Sequence, residues 1–359
     1  MYHFFLVVLF FFCSLEKSIA IERHHDVHHH LVHIKSLLPS SSCSTSAKGP
    51  KRKSSLDVVH KHGPCSLLNN NNGKSRILPT HSNILDLDKE RVNYIHSKLL
   101  LLSNNIKIDQ KLASSANLTA KPGYLIGSAN YFVIVGLGTP KRDLSLVFDT
   151  GSDLTWTQCQ PCALSCYKQQ DDIFDPSIDV GYLTFGVANN SDVKYTPFST
   201  ISNHSSFYGL DIVGISVGGT QIPLLSSIFS SGGAIIDSGT VITRLPPTAY
   251  VGLRNSFRKG MTKYPLASSL SILDTCYDLS GNNMISIPKI RFFFGGGVTM
   301  ELAALEILYV ESSEQVCLAF ASNEDDSDIS IFGNVQQRTL EVVYDVGGGK
   351  IGFGSNGCK

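Results

Sequence analysis

The chain has 359 residues, 42% of them hydrophobic, enough to bury a sizeable core and to favour two domains. Thirty basic residues balance 30 acidic ones, which excludes the charge footprint expected for a nucleic-acid partner. The balance hides an asymmetry: residues 1–120 hold 15 basic and 8 acidic residues, and residues 121–359 hold 15 and 22, so a basic front portion faces an acidic body.

The chain opens MYHFFLVVLFFFCSLEKSIA. Its apolar run is too short to span a bilayer and ends in the small-x-small form Ser18-Ile19-Ala20, so residues 1–20 read as a signal peptide. No later run has the length of a membrane helix, and no membrane association is expected once the signal is removed. An oxidising compartment favours disulfides over zinc for the Cys159, Cys162 and Cys166 group and for Cys276, Cys317 and Cys358. The sequons at Asn117, Asn189 and Asn203 fit glycosylation in that compartment.

Residues 21–120 are polar, with HHDVHHHLVH near the start and NNNNG at 69–73. One amphipathic stretch, ILDLDKERVNYIHSKLLLL, predicts a helix, with Ile84, Leu87, Val92, Ile95 and Leu99 on a roughly helical spacing. A segment of this kind does not build a core alone and is read as a prosegment that folds against the body of the chain. Histidines 24, 25, 28, 29, 30 and 33 suggest acid-promoted loosening rather than a metal site, because their rings charge below about pH 6.5.

From Ala129 the period becomes two. Tyr131, Val133 and Val135 alternate, then Leu144, Leu146 and Phe148 lead to Asp149. Beyond Tyr182, short β-like runs succeed one another, including YGLDIVGISVGGTQI, AIIDSG, ISIPKIRFFFGG, VTMELAALEILYV and ISIFGN, all punctuated by Gly and Pro. One further helix is predicted over PPTAYVGLRNSFRKGM. Gly214-Ile215-Ser216-Val217-Gly218 matches a nucleophile elbow, but a hairpin-like turn and another strand come after it where a helix is required. The acidic run NEDDSD at 323–328 reads as a solvated loop rather than a calcium site.

Two stretches share one grammar: LVFDTGSDLTW around Asp149 and AIIDSGTVITRLP around Asp237. In each, an apolar run delivers a carboxylate into a tight turn where Gly allows close backbone approach. A lone carboxylate buried there is costly, whereas two that face each other share a proton and span a water. One then acts as the base that activates the water and the other as the acid that polarises a carbonyl.

FDTGSDLTWTQCQPC and IIDSGTVITRLP resemble the two active-site motifs of pepsin-like aspartic proteases in the plant nepenthesin-like branch. VVHKHGPCS and the closing IFGNVQQRTLEVVYDVGGGKIGFG are similar to that branch as well. The resemblance implies an all-β, bilobal acid protease fold with Asp149 and Asp237 as the catalytic dyad. Thr150 and Ser238 tie the two turns together in that reading, Gly151 and Gly239 complete the turns, and Ser152 and Thr240 bond the carboxylates from outside. Ile331-Phe332-Gly333 threads behind the second motif. By the same resemblance Cys159 pairs with Cys162 and Cys276 with Cys317, which leaves the pairing of Cys166 and Cys358 open. No metal and no cofactor is called for.

The motifs are only about 88 residues apart, although a β lobe needs on the order of 100 residues to close its core. The expected organisation is a signal peptide (1–20), a prosegment (21–120), a truncated N-terminal lobe (121–181) and an essentially complete C-terminal lobe (182–359). No Tyr-Gly flap is found in the first lobe: Tyr208-Gly209 falls in a second-lobe strand. The expectation is a monomeric, secreted aspartic endopeptidase of the extracellular space or cell wall, with the vacuole as alternative, acting on peptide or protein substrates at acidic pH. It is made as a zymogen with its own prosegment as a partner, and is impaired in this chain by the missing part. The alternative is a secreted pseudo-protease that binds peptides or a protein partner without catalysis.

Overall fold

The computed structural model describes residues 28–38, 58–60, 80–103, 131–137, 142–147, 192–199, 207–345 and 348–354, together with Asp149, Gly151 and Thr157. The signal sequence, the three sequons, Thr150, Ser152, Cys159, Cys162, Cys166 and Cys358 lie outside the described residues. Among the described residues, no helix is long and apolar enough to cross a membrane.

Strands are the commonest element among the described residues. Strand Ile290–Phe294 shows why: Ile290, Phe292 and Phe294 are buried on one face while Arg291 and Phe293 are half-buried on the other. It pairs with Ile212–Val217 and Val298–Glu301 in a four-stranded sheet. Phe292 packs against Phe294, Phe320 and Phe332, and Phe294 against Phe353, so the core of this body is largely aromatic. Ser216 lies in strand Ile212–Val217, which turns at Gly218 and Gly219 (φ 56° and 77°) into strand Thr220–Gln221. That is a hairpin, and it has none of the helix a nucleophile elbow needs.

Helix Pro247–Gly260 forms where its prolines start it, burying Ala249, Tyr250, Leu253 and Phe257. Asp326 of the acidic loop caps its first turn, accepting from the Thr248 backbone N–H at 2.9 Å and its hydroxyl at 2.5 Å. The stretch 298–310 departs from the β expectation. A helical turn, Ala304–Ile307, separates strands Val298–Glu301 and Leu308–Ser312, because Glu306 folds back to accept from the Ala303 N–H at 2.7 Å. Cys276 and Cys317 sit opposite each other on paired strands and form a disulfide.

The front portion is woven into the body. Strand His29–His33 pairs antiparallel with Met284–Pro288, and Val58–His60 of the VVHKHGPCS stretch pairs with Tyr131–Leu137. Tyr131–Leu137 in turn pairs with Arg142–Val147, which stands at the edge of this sheet among the described residues. Helix α1 (His81–Ser103) is the predicted amphipathic helix. Its Ile84 and Leu85 pack on Val241, Ile242 and Tyr309, and its Val92 and Ile95 on Phe207, Ile235 and Ile331. Thus α1 lies directly on the elements that carry Asp237.

Candidate active site

Asp237 is placed by three strands. Ala234–Ile236 delivers it, Thr243–Leu245 carries the chain away, and Ser330–Phe332 lies between them, parallel to the first and antiparallel to the second. The Asp237 N–H donates to the Phe332 carbonyl at 3.1 Å, and the Asn334 and Val335 N–H groups donate to the Thr240 and Val241 carbonyls. Gly333 passes so close that a Cβ there would stand 2.8 Å from the Val241 carbonyl oxygen, so only glycine fits. Ile331-Phe332-Gly333 therefore does run behind the second motif.

The Asp237 carboxylate is fully buried and well supplied with donors. The Gly239 N–H reaches Oδ1 at 2.9 Å and the Thr240 hydroxyl reaches Oδ2 at 2.6 Å. Ser238 is buried, and its carbonyl accepts from Asn334 Nδ2 at 3.1 Å. Asp149 has the matching arrangement, with the Gly151 N–H at 2.9 Å from its Oδ1. The two turns face each other. A Cβ on Gly151 would lie 2.8 Å from Asp237 Oδ1, and one on Gly239 would lie 2.5 Å from Asp149 Oδ1. Each glycine thus leaves room for the opposite carboxylate. Burial and the neighbouring Asp237 push Asp149 up to about 6, although Arg91 pulls it down.

That Arg91 comes from α1 and stands between the carboxylates. Its Nη2 donates to Asp149 Oδ1 at 2.7 Å and to Asp237 Oδ2 and Oδ1 at 3.0 and 3.2 Å, while Nε reaches Asp237 Oδ2 at 3.1 Å. Burial works against its charge, but the two carboxylates outweigh that and hold it above the usual arginine range. One turn earlier, Asp88 is buried beneath the helix. Its Oδ1 accepts from the Val241 N–H at 2.5 Å, and its Oδ2 from the Ile242 N–H at 3.2 Å and Arg244 Nη2 at 2.9 Å.

Motif reading alone does not single out Asp88, Arg91 and Arg244, which contact the site or its supporting stretch. A signal is nonetheless present. Positions 84, 88, 91 and 95 form one i, i+4, i+7, i+11 stripe of the helix, and that otherwise apolar stripe carries two charges. Charges on a buried stripe need partners, which here are the dyad and a buried arginine.

Comparison with known proteins fits this architecture. Residues 131–195 match the family model described as xylanase inhibitor N-terminal, and residues 207–355 the one described as xylanase inhibitor C-terminal. An aspartyl protease family protein of Arabidopsis thaliana is 43% identical over 447 aligned positions, which cover 92% of this chain and 93% of the relative. Aspartyl protease AED1 of the same plant is 37% identical, covering 91% and 92%. Nepenthesin-1 of Nepenthes gracilis is 27% identical, covering 65% and 79%. The solved structure of EDGP superposes with a TM-score of 0.50 at 14% identity, over 64% of this chain and 94% of that one, which supports the all-β, bilobal fold. Paired Asp turns, a strand threaded behind the second of them and relatives of this similarity along nearly the whole chain place the protein in the pepsin-like aspartic protease family of plants.

Proposed function

We propose that the chain is the zymogen form of a secreted aspartic endopeptidase, held inactive by α1. The observation that carries this is the single guanidinium nitrogen of Arg91 lying within 3.2 Å of both Asp149 and Asp237. With α1 withdrawn, a water fits between the same oxygens. One carboxylate, ionised, takes a proton from that water as it attacks the substrate carbonyl carbon. The other, protonated, donates a hydrogen bond to the carbonyl oxygen and then its proton, giving a gem-diol that collapses with proton transfer to the leaving nitrogen. Asp149, raised by burial and its partner even against the pull of Arg91, suits the protonated role at acidic pH.

Catalysis in this chain is impaired by a short first lobe. The alignment with the 43% identical relative runs over 447 positions against a chain of 359 residues, so at least 88 positions face no residue here. The family match also spans only 131–195 in the first lobe, against 207–355 in the second. A lobe without its flap leaves water in the cleft and removes backbone partners from the substrate.

The test pairs this chain with a version whose first lobe is completed from the Arabidopsis relative, both assayed on an unfolded protein at about pH 3 to 5. The completed chain is expected to cleave, to be blocked by a statine-type inhibitor and to lose activity with Asp149→Asn, while the short chain cleaves little. A folded, completed chain that cleaves nothing would leave the non-catalytic binding reading, which the inhibitor names of the matching family models favour.

A further inference from the structure

Arg244 is a buried cation with an unusual setting. Its side chain is 3% exposed, and it lies on strand Thr243–Leu245, immediately downstream of the Asp237 turn. The Val241 and Ile242 N–H groups, on the stretch joining that turn to the strand, point the same way, toward α1. These three donors surround one carboxylate, that of Asp88, and both of its oxygens are satisfied. Asp88 belongs to the same helix face as Arg91, three residues away, a Cβ spacing of about 5–6 Å. Beside them a cavity of about 230 Å³ separates Lys89, Val92 and His96 of α1 from Tyr250 and Asn323 of the body, with Arg244 in its wall. Lifting α1 would therefore uncover the Arg244 pocket on the same face of the body that carries Asp237, since one helix covers both.

We infer that Arg244, with the backbone N–H groups of Val241 and Ile242, forms a carboxylate-binding subsite that selects peptides with Asp or Glu near the scissile bond, Asp88 filling it internally until α1 leaves. The inference rests on the endopeptidase reading above for what the cleft binds. The subsite lies near the scissile bond because Val241 and Ile242 follow the Asp237 turn by only four and five residues along the chain. A carboxylate is the fitting ligand because two converging N–H groups and a guanidinium edge offer charge-assisted donors that a neutral amide satisfies only in part. Glu324 also lines the cavity, and so does Asp274. Its carboxylate is already engaged by the Tyr250 hydroxyl at 2.5 Å and by Arg254 Nη1 at 2.8 Å.

The experiment uses the full chain carrying Asp88→Ala and Arg91→Ala, so that α1 seats neither group. Fluorescence anisotropy at pH 5 measures binding of labelled hexapeptides that differ only in Asp, Asn or Ala at each position in turn. The expected result is that Asp at one position tightens binding about tenfold over Asn. Adding Arg244→Gln should abolish that preference, and a near-ultraviolet circular dichroism spectrum and denaturant midpoint matching those of the opened chain show that the variant is folded. Equal affinity for Asp and Asn peptides, a preference that survives Arg244→Gln, or no binding by the opened chain would each overturn the proposal. Binding is read without catalysis, so a chain that prefers acidic peptides yet never cleaves, even with its first lobe completed, keeps the subsite and sinks only the endopeptidase reading.

Discussion

At heptad spacing along α1, Ile84, Asp88, Arg91 and Ile95 face the body, and the two charged side chains are held by opposite means. Asp88 is stripped of water, and burial raises its pKa against the pull of Arg244 and the two N–H groups; the same burial lowers that of Arg244. Removing one partner leaves the other charge buried alone. Asp88→Ala is therefore expected to cost about 3–5 kcal/mol of stability in denaturant unfolding at pH 7, and Asp88→Ala with Arg244→Met much less. A loss under about 1 kcal/mol for the single change would mean that Arg244 finds other solvation. Arg91 makes a separate prediction. It holds Asp149 below the value the dyad would have alone, so seating Arg91 expels a proton. Its contribution to α1 docking is full at high pH and weakens as pH falls toward about 6. Arg91→Ala should accordingly admit a statine-type inhibitor at pH 7, measured by calorimetry on the chain with a completed first lobe, where the unsubstituted arginine excludes it; identical affinities would show that Arg91 does not block the cleft.

The front portion as an element is held by histidines as well as by carboxylates. His81 Nδ1 bonds the Tyr309 hydroxyl at 2.8 Å with the rings edge to face, and His30 Nε2 bonds the Leu302 carbonyl at 2.8 Å. Burial lowers the pKa of both. Glu311 raises His81 and Arg338 lowers it, while for His30 the Leu302 carbonyl and Glu301 act against Lys289 and His29. A histidine whose attached pKa lies below its free value of about 6.5 binds a proton more readily once detached. Docking is thus at full strength above that value and weakens as pH drops through it. Asp88 acts in the opposite sense, since its attached pKa is raised, and it resists detachment at lower pH. The expected outcome is that amide exchange across α1 accelerates as pH falls from about 7 toward 5, after correction for intrinsic rates, and that His30→Gln with His81→Gln moves this onset to lower pH. An unchanged onset would assign acid release to the dyad alone. The body is expected to respond differently, because the Cys276–Cys317 bond closes a loop of 41 residues there. Replacing both cysteines by serine should lower stability by up to about 4 kcal/mol.

For the molecule as a whole, what the sequence disclosed depended on how local each signal was. Alternation made Ile290–Phe294 legible, and paired prolines made the helix Pro247–Gly260 legible, because both effects act within a few residues. The Asp turns were legible because a carboxylate inside an apolar run is rare and their grammar is repeated. The turn Ala304–Ile307 was not, since Leu302 and Ile307 are buried on all sides and give neither period, and the feature that decided it was a Glu306 side chain turned back on the backbone. The Arg91 plug was hidden for a related reason: its partners lie 58 and 146 residues away, and only folding brings them together. The proposed shortness of the first lobe belongs to this largest scale. In the described structure, Arg142–Val147 leads toward Asp149 yet stands at a sheet edge, with a strand of the front portion bordering the other side of that small sheet. Removing the front portion would expose Tyr131–Leu137 as a second edge, and such edges invite association. The transcript discriminates between a real short lobe and a lost segment. Amplification across the codons for Phe174 to Phe185 is expected to give a product longer by roughly 300 bases, the coding length of the absent part of a β lobe. A product of the short length alone would mean that the plant makes this chain, and its intact second lobe with the Arg244 pocket would then be a binding device whose dyad has no lobe to close over it.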